Sequence, residues 1–433
     1  RDSSTSRGLG DVYKRQEQLL SEGYLEAEPC RGYFVAEIEG LYQLRSPVRQ
    51  AEQKSKDPQK EYRYDFTPSG VDLNSFPYNT WRKLSKECLQ DDRAELFRLG
   101  DPQGEQGLRS AICNYLHQAR GVNCTPEQII VGAGNDYLLM LLTMVIGREH
   151  KVALENPTYV QAYRLFEQLS YDVCTVNMDA KGMNVGQLEA SGADIAFVMP
   201  SHQYPLGIVM PIKRRMELLR WAENDGLEGR PRYIIEDDYD SEFRYTGRFI
   251  LPLYAQDTQS RVIYMNTFSK SLVPSLRISY MVLPPRLLDR YEQTMSFYSC
   301  TVSSFEQYTL ARFISEGYFE RHINKMKNYY REQRHKILAA IHASPLAAIS
   351  QITERNAGTH FVLHINTKLT EAEVRKAALA TDMCLSFYSD YSHNTEENNG
   401  CTLVINYAAI EADKITSVIE RLSSLFPECN QIS

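Results

Sequence analysis

From Tyr64 onward the chain alternates short apolar runs with longer stretches of helical spacing, and no other feature limits its fold so sharply. The apolar runs lie at 129–131, 152–154, 195–199, 233–235 and 262–265. Alternation of this kind predicts an α/β fold with a mainly parallel sheet, and it places binding or catalytic groups at the strand ends. After about residue 304 a long helical stretch at 318–341 leads into strand-like text at 359–365 and 402–406, which predicts a separate α+β subdomain. Residues 63–433 are therefore expected to divide into a large part (about 98–303) and a small part (about 63–97 and 304–433).

Composition narrows the class. The chain has 433 residues, 43% hydrophobic and 24% charged, enough to bury a sizeable core. A formal charge of -7 argues against a chain-wide nucleic-acid or anionic-membrane surface, although it says nothing about a small basic module. No apolar stretch has the length of a spanning helix and no signal-peptide run opens the chain, so a cytoplasmic location is expected and no membrane partner. The nine cysteines form no C-x-x-C pairs or His/Cys clusters; they read as reduced, mostly buried thiols, with no metal site.

Residues 1–15 show no amphipathic period and are interrupted by glycine and serine, so non-native or disordered sequence is expected there. From Gln16 the text EQLLSEGYLEAEPCRGYFVAEI reads as the end of a helix, a stop at Gly23, and two strand-like runs about a Pro29-Cys30-Arg31-Gly32 turn. Residues 39–62 are polar, rich in Lys, Gln and Ser, and read as a linker.

The chemistry concentrates at the ends of the apolar runs. Lys270 stands in N-T-F-S-K-S-L-V-P-S-L-R just after one of them, with the Ser269 hydroxyl beside it and Arg277 offering a fork suited to a phosphate. R-Y-I-I-E-D-D-Y-D-S-E-F ends another run in a knot of carboxylates, an expensive arrangement without a cation. Asp237 is assigned to that cation, with Asp238 the alternative one residue away; Asp238, Asp240 and Glu242 otherwise read as solvated loop-edge charge. I-I-V-G-A-G-N-D-Y-L-L opens a helix at Gly134 and Asn135, whose N–H groups suit an anion. Tyr159 in E-N-P-T-Y is a candidate stacking ring, and His202 and Gln203 in P-S-H-Q-Y-P-L-G are candidates to line the same pocket. An amine, a carboxylate for a ring nitrogen, a hydroxyl donor in Tyr239 and a phosphate cradle are together what pyridoxal 5'-phosphate (PLP) requires of a protein.

The segments S-H-Q-Y-P-x-G, E-D-D-Y-D-S-E-F and T-F-S-K-x6-R, in this order and spacing, resemble the MocR-type regulators, in which a GntR-type winged helix is fused to a fold-type-I aminotransferase-like domain. L-x-x-E-G-Y-L followed by G-x-F-V-A resembles the end of that family's recognition helix and its wing, which makes residues 16–38 a partial winged helix. The resemblance implies Lys270 as the Schiff-base lysine, Asp237 at the pyridine nitrogen and Tyr239 at the ring hydroxyl, with Arg277, Ser269, Gly134 and Asn135 at the phosphate. It further implies a homodimer that senses an amino acid or amine effector and regulates transcription. DNA is expected as a partner of the full-length protein, with weak or no binding by this chain, since the front helices of the winged helix are missing. An active aminotransferase is the alternative. Two departures stand out: Leu99 occupies L-G-D-P-Q-G where relatives place a tyrosine that reaches the partner subunit's phosphate, and residues 384–410 contain no arginine to clamp a substrate carboxylate.

Overall fold

The structure is a computed structural model and describes residues 4–36, 62–68, 70–90, 94–246, 250–353, 357–393 and 400–431. The chain divides into two compact units, Arg1–Glu61 and Tyr62–Ser433.

In the first unit, helix α1 (Ser4–Ser21) stops before Gly23 (φ 76), and an antiparallel ribbon follows, β1 (Leu25–Glu28) with β2 (Gly32–Val35). The ribbon matches the expected wing, with Cys30 and Gly32 both at positive φ in its turn. The helix covers most of residues 1–15, the stretch expected to be non-native or disordered. Gly8 and Gly10 each weaken a helix by about 1 kcal/mol relative to alanine but do not forbid it, so one continuous helix passes through them. The linker expected at 39–62 lies almost entirely outside the described residues.

The second unit begins with β3 (Tyr64–Asp65). Then come β4 (Ile129–Gly132), β5 (Lys151–Asn156), β6 (Asp172–Asp179), β7 (Gly182–Met183), β8 (Ile195–Val198), β9 (Tyr233–Asp237), β10 (Val262–Thr267) and β11 (Ser279–Val282). These last eight form one sheet in the order β4-β11-β10-β9-β8-β5-β6-β7. The run from β10 through β9, β8 and β5 to β6 is parallel, and β11 lies antiparallel between β10 and β4. Every residue of β4, β8, β9, β10 and β11 is buried, because helices cover both faces. Continuous burial is why these strands read as apolar runs without alternation.

The C-terminal part carries an antiparallel sheet of β12 (Ser350–Thr353), β13 (His360–Ile365), β15 (Ser386–Phe387) and β16 (Cys401–Asn406). The short β14 (Met383–Cys384) pairs in parallel with β3, so the first residues of this unit are fastened to its C-terminal part. The long helix expected at 318–341 is present as Tyr318–His342. The thiols are less buried than expected: Cys88, Cys401 and Cys429 are buried, Cys30 is exposed, and the other five are intermediate. No helix among the described residues is long and apolar enough to cross a membrane.

One buried ion pair fixes the end of β9. Arg215 is fully buried, donates to the carbonyls of Met210 (3.0 Å) and Pro200 (2.7 Å), and lies 3.6 Å from Glu236. Glu236 also accepts from the backbone N–H groups of Leu253 (2.8 Å) and Tyr254 (2.9 Å). Burial, then the Asp238 charge, push the Glu236 carboxyl up, and Arg215 opposes them. Arg215→Met is expected to lower stability by about 3–5 kcal/mol, the effect of leaving one buried charge unpaired, as measured by urea denaturation; a loss under about 1 kcal/mol would show that the backbone donors alone suffice.

Candidate functional site

A cavity of about 640 Å³ opens at the carboxyl ends of the parallel strands. Its wall includes Asp237 at the end of β9 and Tyr239 after it, Thr267 at the end of β10 with Ser269 and Lys270 after it, and Asn135 and Asp136 at the start of helix Asn135–Ile146. Tyr159, Arg164, Arg277, His360, Asn406, Thr67 and Pro68 also face it.

Lys270 lies in a one-turn helix, Phe268–Ser271, that begins where β10 ends. The Thr267 hydroxyl caps that turn by accepting from the Ser269 N–H at 3.1 Å, which swings Lys270 off the strand into the cavity. The Lys270 ammonium donates to the Pro68 carbonyl. Burial lowers its pKa to about 8, opposed by the Asp240 charge, so a large fraction of the amine is neutral just above physiological pH. Pro68 is held in turn by Asn406, whose amide donates to the carbonyls of Thr67 (2.7 Å) and Gly70 (3.2 Å).

The carboxylates sort by strand alternation. Asp237 faces the cavity, 3.3 Å from the Asn135 amide, and its carboxyl is pushed up to about 8, by burial first and then by Asp238. Asp238 points the other way, to Arg120 at 2.5 Å and the Tyr264 hydroxyl at 2.6 Å. Asp240 accepts from His202 Nδ1 at 2.8 Å. Reading Asp238 and Asp240 as solvated charge is therefore corrected: both are buried and partnered, because the chain turns back into the protein after β9. Glu242 is half-buried, and the Tyr115 hydroxyl donates to it at 3.3 Å.

At the other end of the cavity, Arg277 (φ 49) lies 3.6 Å from Asp136, and its guanidinium occupies the space beside Gly134 (φ 99), where a Cβ would fall 2.3 Å from Nη2. The Gly134 N–H is bonded to the Gly132 carbonyl at 2.9 Å, and the Asn135 side chain is turned toward Asp237. The Gly134 N–H is therefore not available to an anion, Gly134 makes room for Arg277, and the Asn135 side chain supports the carboxylate. The Ser269 hydroxyl is buried and has no hydrogen-bond partner among the described residues. An arginine, an unpartnered hydroxyl and a helix N-terminus at one end, with an amine and a proton-bearing carboxyl at the other, fit the phosphate, aldehyde and ring nitrogen of PLP.

His202 is not on the cavity wall. It stands behind Tyr239, whose hydroxyl is 3.4 Å from His202 Nδ1 and whose ionisation is pushed well up by burial and then by Asp240. Gln203 likewise points away, donating to the Pro157 carbonyl at 2.9 Å. His360 faces the cavity instead, with Nε2 donating to the Pro205 carbonyl at 3.1 Å, and burial, then His202 and Lys270, keep it neutral. His202, Asp240 and His360 place one donor atom each within 4.8 Å of one another, a compact polar cluster behind the ring-hydroxyl position. Sequence reasoning missed His360, Asn406, Thr67 and Pro68. The only signal for the last two was the turn chemistry of T-P-S-G, which says nothing about what the turn covers.

Residues 71–422 match the family described as Aminotransferase class I and II. The chain is 36% identical over 416 residues to the uncharacterized HTH-type transcriptional regulator YdeL of Bacillus subtilis, covering 95% of this chain and 88% of that one. It is 31% identical over 429 residues to the probable rhizopine catabolism regulatory protein MocR of Rhizobium meliloti, covering 96% and 85%. In fold it is similar to the multiple substrate aminotransferase of Thermococcus profundus, with a TM-score of 0.74, 23% identity, and coverage of 87% and 94%.

Gly358 gives a test of the packing behind the cavity. Its φ is +69, its carbonyl accepts from the Tyr245 and Tyr407 hydroxyls at 2.7 Å each, and a Cβ would fall 1.8 Å from His202 Cε1. Gly358→Ala is expected to be destabilising by more than the roughly 1–2 kcal/mol that a left-handed residue costs. Gly229→Ala, at φ +72 with nothing within 4 Å, reports that backbone cost alone. Equal losses in the two variants, read by urea denaturation, would show that His202 simply moves aside.

Proposed function

Since this chain belongs to the aminotransferase class I and II family and to the MocR-type regulators, we propose that it is a PLP-binding, effector-sensing transcriptional regulator. The observation that carries this reading is a complete set of cofactor groups in a cavity where the last strands bring no arginine. When bound, the cofactor supplies an electron sink that weakens bonds at the carbon bearing a ligand's amine.

In this reading Lys270 presents an amine of which a substantial fraction is neutral and nucleophilic near pH 8. Asp237 holds a proton for the ring nitrogen and keeps it there, supported by Asn135. Tyr239 meets the ring hydroxyl, its own position set by His202 and Asp240. Tyr159 covers one face of the ring. Arg277 and Ser269 hold the phosphate. Lys270 has a second partner in the Pro68 carbonyl, and Pro68 follows closely on the residues that join this unit to the helix and ribbon. A lysine engaged either by the cofactor or by Pro68 gives that segment a contact that depends on the state of the site.

DNA is contacted by the complete winged helix of the full-length protein, of which α1 and the ribbon are a part that binds weakly or not at all, and a regulator of this kind works in the cytoplasm. A homodimer is supported by large apolar side chains left in solvent, Phe97 (76% exposed), Leu99 (84%) and Phe297 (76%), which a second copy would cover. Leu99 at the surface also lacks any group for a partner's phosphate.

Four outcomes test this reading. Lys270→Ala abolishes borohydride-fixed attachment of PLP, and attachment to any other lysine would overturn the assignment. Attachment of PLP to the cofactor-free chain quickens as pH rises through about 8, because the neutral amine is the nucleophile and its fraction grows above the pKa. Asp237→Asn folds normally but changes the cofactor's absorption and its response to amines; the same change in Asp238→Asn alone would move the assignment by one residue. Candidate amino acids with a keto-acid acceptor should give spectral shifts and negligible product, whereas sustained turnover of about 1 per second or more would make the chain an aminotransferase.

A further inference from the structure

The cavity has more cationic groups than the cofactor uses. Its wall includes Lys270, Arg277 and Arg164, and the first two are engaged by the cofactor in the reading above, on which this inference rests. His360 offers no charge, since it is held neutral and donates to Pro205. Arg164 remains. It lies five residues after Tyr159, on the helix Val160–Gln168 that begins at the ring-stacking position, and its side chain is exposed. No ion pair or hydrogen bond joins it to another described residue.

The usual place for a carboxylate grip is closed. β16 ends at the cavity in Asn406, whose amide is committed to the Thr67 and Gly70 carbonyls, and Val404 two residues before it is buried in the core. Asp390 adds negative charge to the wall, but Arg375 pairs with it at 2.8 Å, so neither serves a ligand anion. A carboxylate entering this cavity therefore meets one uncommitted guanidinium among the described residues.

We propose that Arg164 reads the effector's carboxylate, so that the effector is an amino acid and not a simple amine, gripped from the helix after β5 instead of from the last strand. An exposed arginine on a long stem attracts and holds a carboxylate, but it does not fix the ligand's orientation as a buried, bidentate clamp does. Arg164 is thus a specificity-determining residue for binding.

The test uses the full chain loaded with PLP and follows the cofactor's absorption during titration. The probes are amino acids paired with their own decarboxylated amines: L-alanine with ethylamine, L-phenylalanine with phenethylamine, and L-lysine with cadaverine. In the unaltered protein at least one amino acid should half-saturate at a concentration about tenfold or more below its amine, a difference of roughly 1.4 kcal/mol. Arg164→Ala should erase that preference by weakening the amino acid while leaving the amine unchanged, and Arg164→Lys should restore part of it. An amino acid-to-amine ratio that stays the same in Arg164→Ala overturns the proposal and leaves the sensing reading intact. A protein whose spectrum answers none of the probes, although borohydride fixes PLP to Lys270, overturns both.

Discussion

Three consecutive carboxylates, Glu236, Asp237 and Asp238, end a strand that is buried along its whole length, and the site depends on how they are neutralised. Ionised carboxylates cannot be left alone in such a place. Alternation along β9 settles the matter by sending Glu236 to Arg215, Asp238 to Arg120 and Tyr264, and Asp237 alone into the cavity. The two outer acids have their cations built in. Among the described residues the middle one has an amide from Asn135 and no cation, and burial, then Asp238, push its carboxyl up to about 8. A protonated ring nitrogen is the group that this asymmetry accommodates.

The same strand end organises a second layer. After Asp238 the chain turns so that Tyr239 returns to the cavity while Asp240 is buried against His202. His202 is locked between that carboxylate and the backbone of Gly358, which comes from the loop before β13. A cavity residue in the large part is thereby positioned by backbone of the small part, and Lys270 of the large part meets the Pro68 carbonyl in a small-part turn held by Asn406. Movement between these parts would be felt at Tyr239 and at Lys270 together.

This explains which features were legible in the sequence. The parallel strands could be read because burial on both faces makes them uniformly apolar, and Lys270, Asp237 and Tyr239 could be placed because each follows such a strand within a few residues. β6 was missed because only Val176 of its eight residues is buried, whereas β11 was missed although it is buried throughout like the strands that were read. The side-chain directions of His202 and Asn135 could not be read for a different reason. Local sequence puts both near the cavity, but whether a side chain faces the ligand or supports its neighbour depends on contacts more than thirty residues away, His202 with Asp240 and Asn135 with Asp237. Thr67, Pro68 and Asn406 were invisible for the same reason, since they meet across some 340 residues of chain.

The remaining question is why a chain should keep the groups that hold PLP while giving up the arginine that aligns a substrate. Transamination requires the ligand's Cα–H bond to stand across the cofactor plane, and alignment of that kind contributes on the order of 7–11 kcal/mol to a rate. An exposed Arg164 supplies attraction without that alignment. Attachment of the ligand's amine needs less, since in the proposed reading Lys270 and Asp237 prepare the cofactor whatever the ligand's orientation. Selection for a signal would preserve the groups that report occupancy, Lys270 with its alternative partner Pro68 among them, and would place no premium on the clamp. In the proposed reading the absence of arginine from residues 384–410 and the presence of Lys270 go together, since a sensor needs the ligand registered and released and not converted.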